Sequence, residues 1–237
     1  MISIATWNVL HRVHAENWGE DIVTRWPDEA DRVAAISARL ARRTEQVIAL
    51  QEVSGDQLAG IRQAMPDRTI HALRYPRVPR LRRSEVYSLR EREEYLVLLI
   101  AGPGKEIAAT PFDDDPGKGA LAVDVAGTLV IATHVTGDDR RVSQLGRLAE
   151  LAAPTPAYPA AAVLGDFNID RATVESALGN GFTAAPLPAD APPTRPPGAG
   201  FTALWIDHVV VRGATVATAT VEDMTELSDH NLVTTTI

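Results

Sequence analysis

Nine short runs rich in Val, Ile and Leu punctuate the chain, at residues 2–6, 46–50, 95–101, 121–125, 129–133, 161–164, 206–211, 214–221 and 231–236. Their length and β-branched content predict strands that are buried or half-buried. Helical periodicity is rarer. Pro27, Asp28 and Glu29 place a proline and acids in a first turn, and Val33, Ile36 and Leu40 then line one face. Further helices are predicted over 55–64, ending before Pro66, over 139–151 on Val142, Leu145 and Leu148, and briefly after Asp170. Two proline-containing stretches, 75–84 and 186–200, read as long surface loops, a common seat of function in a compact domain. The segment carrying His11, His14, Trp18 and Trp26 reads as a loop as well. Many strands, few helices and no repeat predict a layered α/β fold in a single domain, residues 1–237, with helices outside packed sheets.

The polar residues that interrupt this pattern fall at strand ends. Val163-Leu164-Gly165-Asp166-Phe167-Asn168 closes an apolar run with an acid and a carboxamide two residues apart. Extended backbone would aim both side chains to one side, whereas Gly, Asp and Asn together also suit a turn. Leu50-Gln51-Glu52 reads as a strand ending in a single acid, Thr6-Trp7-Asn8 as one ending in a carboxamide, and Ala132-Thr133-His134 as one ending in a histidine. Asp207-His208 heads another run, and Ser228-Asp229-His230 precedes the last. Ends of several strands can bring distant residues into one cleft, and Asp, Glu and Asn without Cys suit Mg²⁺ or Mn²⁺.

In order and spacing, Thr6-Trp7-Asn8, Gln51-Glu52, Thr133-His134, Gly165-Asp166-Phe167-Asn168, Ile206-Asp207-His208 and Ser228-Asp229-His230 resemble the endonuclease/exonuclease/phosphatase superfamily, and the likeness covers Asn8 to His230. It implies a four-layer α/β sandwich of two packed, mainly antiparallel sheets flanked by helices. It implies roles too: Glu52 as principal ligand of Mg²⁺ or Mn²⁺ with Asn8 and Asp229 near the metal, and Asp166 orienting or deprotonating the attacking water. Asn168 and His134 would contact the phosphate. His230, held in its tautomer by Asp207, would bond the phosphoryl oxygens or act as general base. Glu93, before Tyr95-Leu96, is similar to a glutamate that pairs with the phosphate-binding histidine, and Lys118 to a basic position of the family.

Composition narrows the rest. With 45% hydrophobic residues in 237, a full core is available. The lack of cysteine excludes disulfides, thiolate zinc sites and a thiol nucleophile. No leader pattern and no apolar run near the roughly 20 residues of a membrane span are found, so a cytoplasmic monomer is expected. A net charge of −8 speaks against holding nucleic acid by general electrostatics. Seven arginines between Arg74 and Arg92 could still make a phosphate-contacting loop, Arg77 and Arg80 foremost, or simply a solvated one. The expected substrate is a phosphodiester in nucleic acid or a nucleotide, the alternative a small phosphorylated metabolite; a binding module without activity would be expected to have lost Glu52, Asp166 or His230.

Overall fold

The computed structural model describes residues 1–83, 87–198, 200 and 202–237. Residues 84–86, within the arginine-rich stretch, and Ala199 and Phe201, at the end of the second proline-containing one, lie outside the described residues. In chain order the strands are β1 (Ser3–Asn8), β2 (Val47–Ser54), β3 (Arg68–Arg74), β4 (Glu94–Ala101), β5 (Lys105–Phe112) and β6 (Asp115–Val125). They continue as β7 (Thr128–His134), β8 (Ala161–Asp166), β9 (Phe182–Ala184), β10 (Asp207–Arg212), β11 (Thr220–Glu222) and β12 (Leu232–Thr236). The helices are α1 (Arg12–Trp18), α2 (Ile22–Arg25), α3 (Glu29–Ala41), α4 (Gly55–Ala64), α5 (Arg141–Leu151) and α6 (Arg171–Leu178).

Among the described residues the strands form two six-stranded sheets, β11-β12-β1-β2-β4-β3 and β5-β6-β7-β8-β10-β9. Pairing is antiparallel except at the centre of each, where β1 lies parallel to β2 and β7 parallel to β8. The sheets pack face to face. Val47 and Ala49 of β2 point into the layer between them with Leu98, Leu121, Val130 and Leu164, while Ile48 and Leu50 point outward to Ile36, Leu40, Leu58 and Ile61 of α3 and α4. On the other side Ile131, Val163 and Val210 meet Leu145, Leu148 and Val174 of α5 and α6. Helix, sheet, sheet, helix: the four-layer sandwich is as expected. Inner strands buried on both faces explain why the apolar runs are continuous rather than alternating.

Local chemistry sets the helix starts. Asp28 Oδ1 accepts the Ala30 N–H at 2.8 Å to open α3, Ser54 and Gln57 form a reciprocal capping box on α4, and Asp170 Oδ1 accepts from Thr173 N at 3.0 Å on α6. The stretch read as a loop after Asn8 holds α1 and α2 instead. Its cap is unusual: a ring nitrogen of His11 accepts the Val13 N–H at 3.2 Å, and Gly19 closes α1 at φ +71°. No Ser, Thr, Asp or Asn announces this helix.

The strand reading departs from the structure only at sheet edges. β3, β5 and β9 escaped it, and the run at 214–221 yields only the three residues of β11. These four are the outermost strands of the two sheets. Edges are kept short, charged or proline-bearing against further pairing, which blurs their pattern.

Candidate active site

The two parallel pairs run out at one end of the sandwich, and their last residues meet. β1 ends on Asn8, whose Oδ1 accepts the Leu10 N–H at 3.0 Å and whose Nδ2 donates to Asp166 Oδ2 at 3.2 Å. Glu52 is not at a strand end. β2 runs on to Ser54, and the acid stands in a bulge where pairing with β4 skips from Leu50 to Val53. Its φ of +57°, a region L residues rarely adopt, re-aims the side chain. Oε2 accepts the His11 N–H at 3.2 Å and Oε1 lies 4.0 Å from His134 Nε2.

In the second sheet a Cβ on Gly165 would meet Thr133 O at 1.9 Å, so only glycine permits this approach of β7 and β8. That approach sets His134 Nε2 3.4 Å from Asp166 Oδ2. Asn168 is reached by a turn and not by extended backbone: Asp166 Oδ1 accepts its N–H at 2.9 Å, and its φ is +54°. Asn168 Nδ2 then donates to Val135 O at 2.9 Å. β10 opens on Asp207, directly opposite Asp166, and Asp207 Oδ2 bonds His230 Nδ1 at 2.9 Å. His230 Nε2 is left 3.9 Å from Asp166 Oδ2. The loop before β12 is tied to β1 by Trp7 Nε1 donating to His230 O at 2.9 Å and Ser228 Oγ donating to Asn8 O at 2.7 Å.

A buried staple holds that loop from behind. The Arg32 guanidinium donates to Val9 O, Leu10 O and Leu227 O at 2.7–3.0 Å, and Glu29 accepts from its Nε at 2.9 Å and Nη2 at 2.6 Å. One residue of α3 thereby joins the segment after Asn8 to the segment before Asp229.

The acids here are held in opposite states. Burial and the facing charge of Asp207 raise Asp166 to about 6, against the pull of His230 and Lys118. Burial would also raise Glu52, but His14, His134 and Lys118 outweigh it and push its pKa down. For His230 burial opposes the charge, yet Asp207, Asp229 and Asp166 prevail and raise it to about 10. Burial and the neighbouring Lys118 lower His134 well below its ordinary value, so it is the neutral imidazole of the group.

These groups line a pocket of about 830 Å³. Its wall is built by α1 and the segment 76–82. Asn17 clamps the two together, donating to Arg80 O at 2.9 Å and accepting from Arg82 N at 2.8 Å, and the Arg82 guanidinium lies 4.5 Å over the Trp18 ring. Arg77 and Arg80 line the pocket as expected, and Arg77 Nη1 also pairs with Asp115 Oδ1 at 3.3 Å. Lys118 is in direct contact with His134 Nε2.

Three side chains of the site had not been assigned to it from the sequence. His14, set aside as a rim residue, bonds buried Glu94 Oε2 through Nε2 at 3.0 Å. Glu94 is therefore the inward acid. It shares the parity of Leu96, Leu98 and Ile100, which face the second sheet. Glu93, expected to pair with His134, stands one residue earlier, half-buried, and the partners of His134 are Lys118, Asp166 and Glu52. Arg195, from the second proline-containing stretch, pairs with Asp229 Oδ2 at 3.1 Å. No pattern in the sequence marks it.

A model of the endonuclease/exonuclease/phosphatase family matches residues 5–230. The chain belongs to the endonuclease/exonuclease/phosphatase family. Members are typically metal-dependent phosphoesterases, and the fold is theirs. No curated protein sequence matches the chain. Similar solved structures include TDP2 from C. elegans, 16% identical with a TM-score of 0.67 over 99% of this chain and 74% of that one. TDP2 from D. rerio, complexed with single strand DNA product, is 15% identical with a TM-score of 0.67 over 99% of this chain and 97% of that one. A family member from Bacteroides vulgatus is 16% identical, again at 0.67, over 99% and 97%. No helix among the described residues is long and apolar enough to cross a membrane.

The residues present fit a divalent cation of the kind this family uses. Asp166, Asp207 and His230 each offer an atom within 4.8 Å of the others, a possible metal site. Asp207 Oδ1 is buried with no hydrogen-bond partner among the described residues, and Asp166 is forced toward its protonated form. Acid-rich, oxygen-donating and free of cysteine, the pocket suits a hard ion.

Proposed function

We propose that this chain hydrolyses a phosphodiester bond in a nucleic acid or nucleotide, with Mg²⁺ or Mn²⁺ as cofactor. The observation that carries the reading is the Asp207–His230 pair facing Asp166 at the mouth of one pocket that also holds Glu52, Lys118 and three arginines of the wall. Glu52, kept ionised by the surrounding cations, would hold the metal with Asn8. When bound, the ion neutralises charge on the phosphoryl oxygens and stabilises the leaving oxygen. Asp166, raised to about 6, takes the proton of the attacking water at Oδ2. His230 keeps its proton because Asp207 bonds Nδ1, so Nε2 donates to a phosphoryl oxygen. Asn168, fixed through Val135 O, and Lys118, beside neutral His134, receive the remaining oxygens. Arg77, Arg80 and Arg82 along the wall would take flanking phosphates.

A second reading, a small phosphorylated metabolite, draws on the wall itself. α1 and the segment 76–82, clamped by Asn17, bound one side of the pocket. Short RNA and DNA strands mixed with nucleotide and sugar monoesters, incubated with Mg²⁺ or Mn²⁺ and with chelator, separate the two. Metal-dependent shortening of strands, absent in Asp166→Ala, is the expected result. Release of inorganic phosphate with strands intact would give the site to a metabolite.

A further inference from the structure

Arg195 comes from a stretch without regular structure, yet its backbone is fixed on every side. It exchanges two hydrogen bonds with Leu204, each 2.9 Å. Thr194 Oγ1 accepts from Ile206 N at 2.9 Å and Asp207 N at 3.0 Å, and Thr194 O accepts from Asn231 N at 2.7 Å. Asn231 Nδ2 donates to Pro193 O at 2.9 Å. The segment is thus pinned to the start of β10 and to the loop before β12, the two places that carry Asp207 and His230.

From this mount the guanidinium reaches Asp229. Nε and Nη2 both donate to Oδ2, at 3.3 and 3.1 Å, and Nη2 also meets Glu20 Oε1 at 3.3 Å. Asp229 Oδ1 faces the Ser228 hydroxyl at 3.5 Å. Both oxygens of Asp229 are therefore turned to donors, in a spot where Arg195, Asp229 and Glu20 are 15%, 14% and 8% exposed. A charge-assisted fork at that depth is costly to break, since parting it strands a charge away from water.

Two-metal phosphoesterase sites hold their ions about 3.5–4 Å apart, each needing carboxylates of its own. To ligate an ion here, Asp229 would have to surrender a guanidinium that the backbone gives no room to swing away, and the two cations would repel. We infer that Arg195 is a built-in cation for the Asp229 side of the pocket, and that the protein binds one divalent ion, at Glu52 and Asn8, in place of two. Asp229 is thereby withdrawn from the ligands implied by the family resemblance and becomes the residue that positions Arg195 beside His230. This inference rests on the metal-dependent reading above.

Mn²⁺ binding by the whole protein, followed by titration calorimetry and electron paramagnetic resonance, tests it without any substrate. The wild-type protein is expected to bind one Mn²⁺ with the spectrum of an isolated ion. Glu52→Gln loses that ion, and Asp229→Asn keeps it with affinity within about threefold, well under 1 kcal/mol. Arg195→Ala, which frees Asp229, gains a second and weaker ion; Arg195→Lys keeps one. Two spin-coupled ions in the wild type, loss of the single ion in Asp229→Asn, or no second ion in a folded Arg195→Ala would each overturn the inference while leaving a metal-dependent hydrolase intact. A wild-type protein that takes up no Mn²⁺ would overturn the underlying reading with it.

Discussion

Laid strand on strand, the two sheets are the same object twice. β1 corresponds to β8, β2 to β7, β12 to β10 and β4 to β6, with the one parallel pair at the centre in each. Corresponding positions carry exchanged chemistry: Asn8 against Asp166, Glu52 against His134, and Glu94 near the start of β4 against Lys118 in β6. The half from the first sheet gathers cations around its acid and holds Glu52 ionised. The half from the second sheet places Asp207 opposite Asp166 and makes it reluctant to ionise. One backbone plan therefore serves two jobs, and the neighbours of each carboxylate decide which. On the proposed reading the first half holds charge and the second moves protons.

The largest expected effect separates the halves directly. Asp166→Ala should cut kcat about 10³-fold, within the usual range for a lost general base, and leave Mn²⁺ binding unchanged by calorimetry. Glu52→Gln should lose both. If the two variants behaved alike in the calorimeter, the division of labour would fail. Next is Arg32→Met, which leaves Glu29 buried without its partner and frees the loops it joins; unfolding in urea should show a loss of about 3–5 kcal/mol.

Proton handling can be read from the pH profile of kcat/KM. Activity should rise as Asp166 loses its proton near pH 6 and can accept the water's, and fall as His230 loses its own near pH 10. The Asp207 charge raises both groups, so Asp207→Asn should move both limbs to lower pH. A profile that lost only amplitude would mean Asp207 merely orients the ring. The smallest effect concerns the wall that bounds the pocket. Asn17→Ala removes two hydrogen bonds to the arginine segment and should raise KM by a few-fold, on the order of 1 kcal/mol, with kcat untouched.

What could be read in advance follows from what is buried. Inner strands lie between two layers, so β1, β2, β4, β7, β8, β10 and β12 announced themselves as apolar runs, and the polar residues that closed or opened them are the ones that meet in the pocket. Edge strands β3, β5, β9 and β11 serve a different requirement, avoidance of pairing, and carry no such pattern. Glu52 was found, but its bulge was not, because a one-residue skip against β4 depends on the partner strand. Glu93 was taken for Glu94 because the choice depends on which face of β4 turns inward. Arg195 and His14 depend on long-range docking of irregular or unannounced segments, for which a linear pattern holds no record.

The bond from Trp7 Nε1 to His230 O spans 223 positions, and Ile2 and Ile237 close the same seam with paired backbone hydrogen bonds of 2.7 and 3.0 Å. During synthesis the first strand thus waits for the last as its neighbour. A nascent chain carries Asn8, Glu52, Asp166 and Asp207 well before it carries His230, so whatever the site does is withheld until translation is all but finished. In a protein proposed to cut nucleic acid, that order keeps an incomplete enzyme from meeting the ribosome that is making it with its chemistry already switched on.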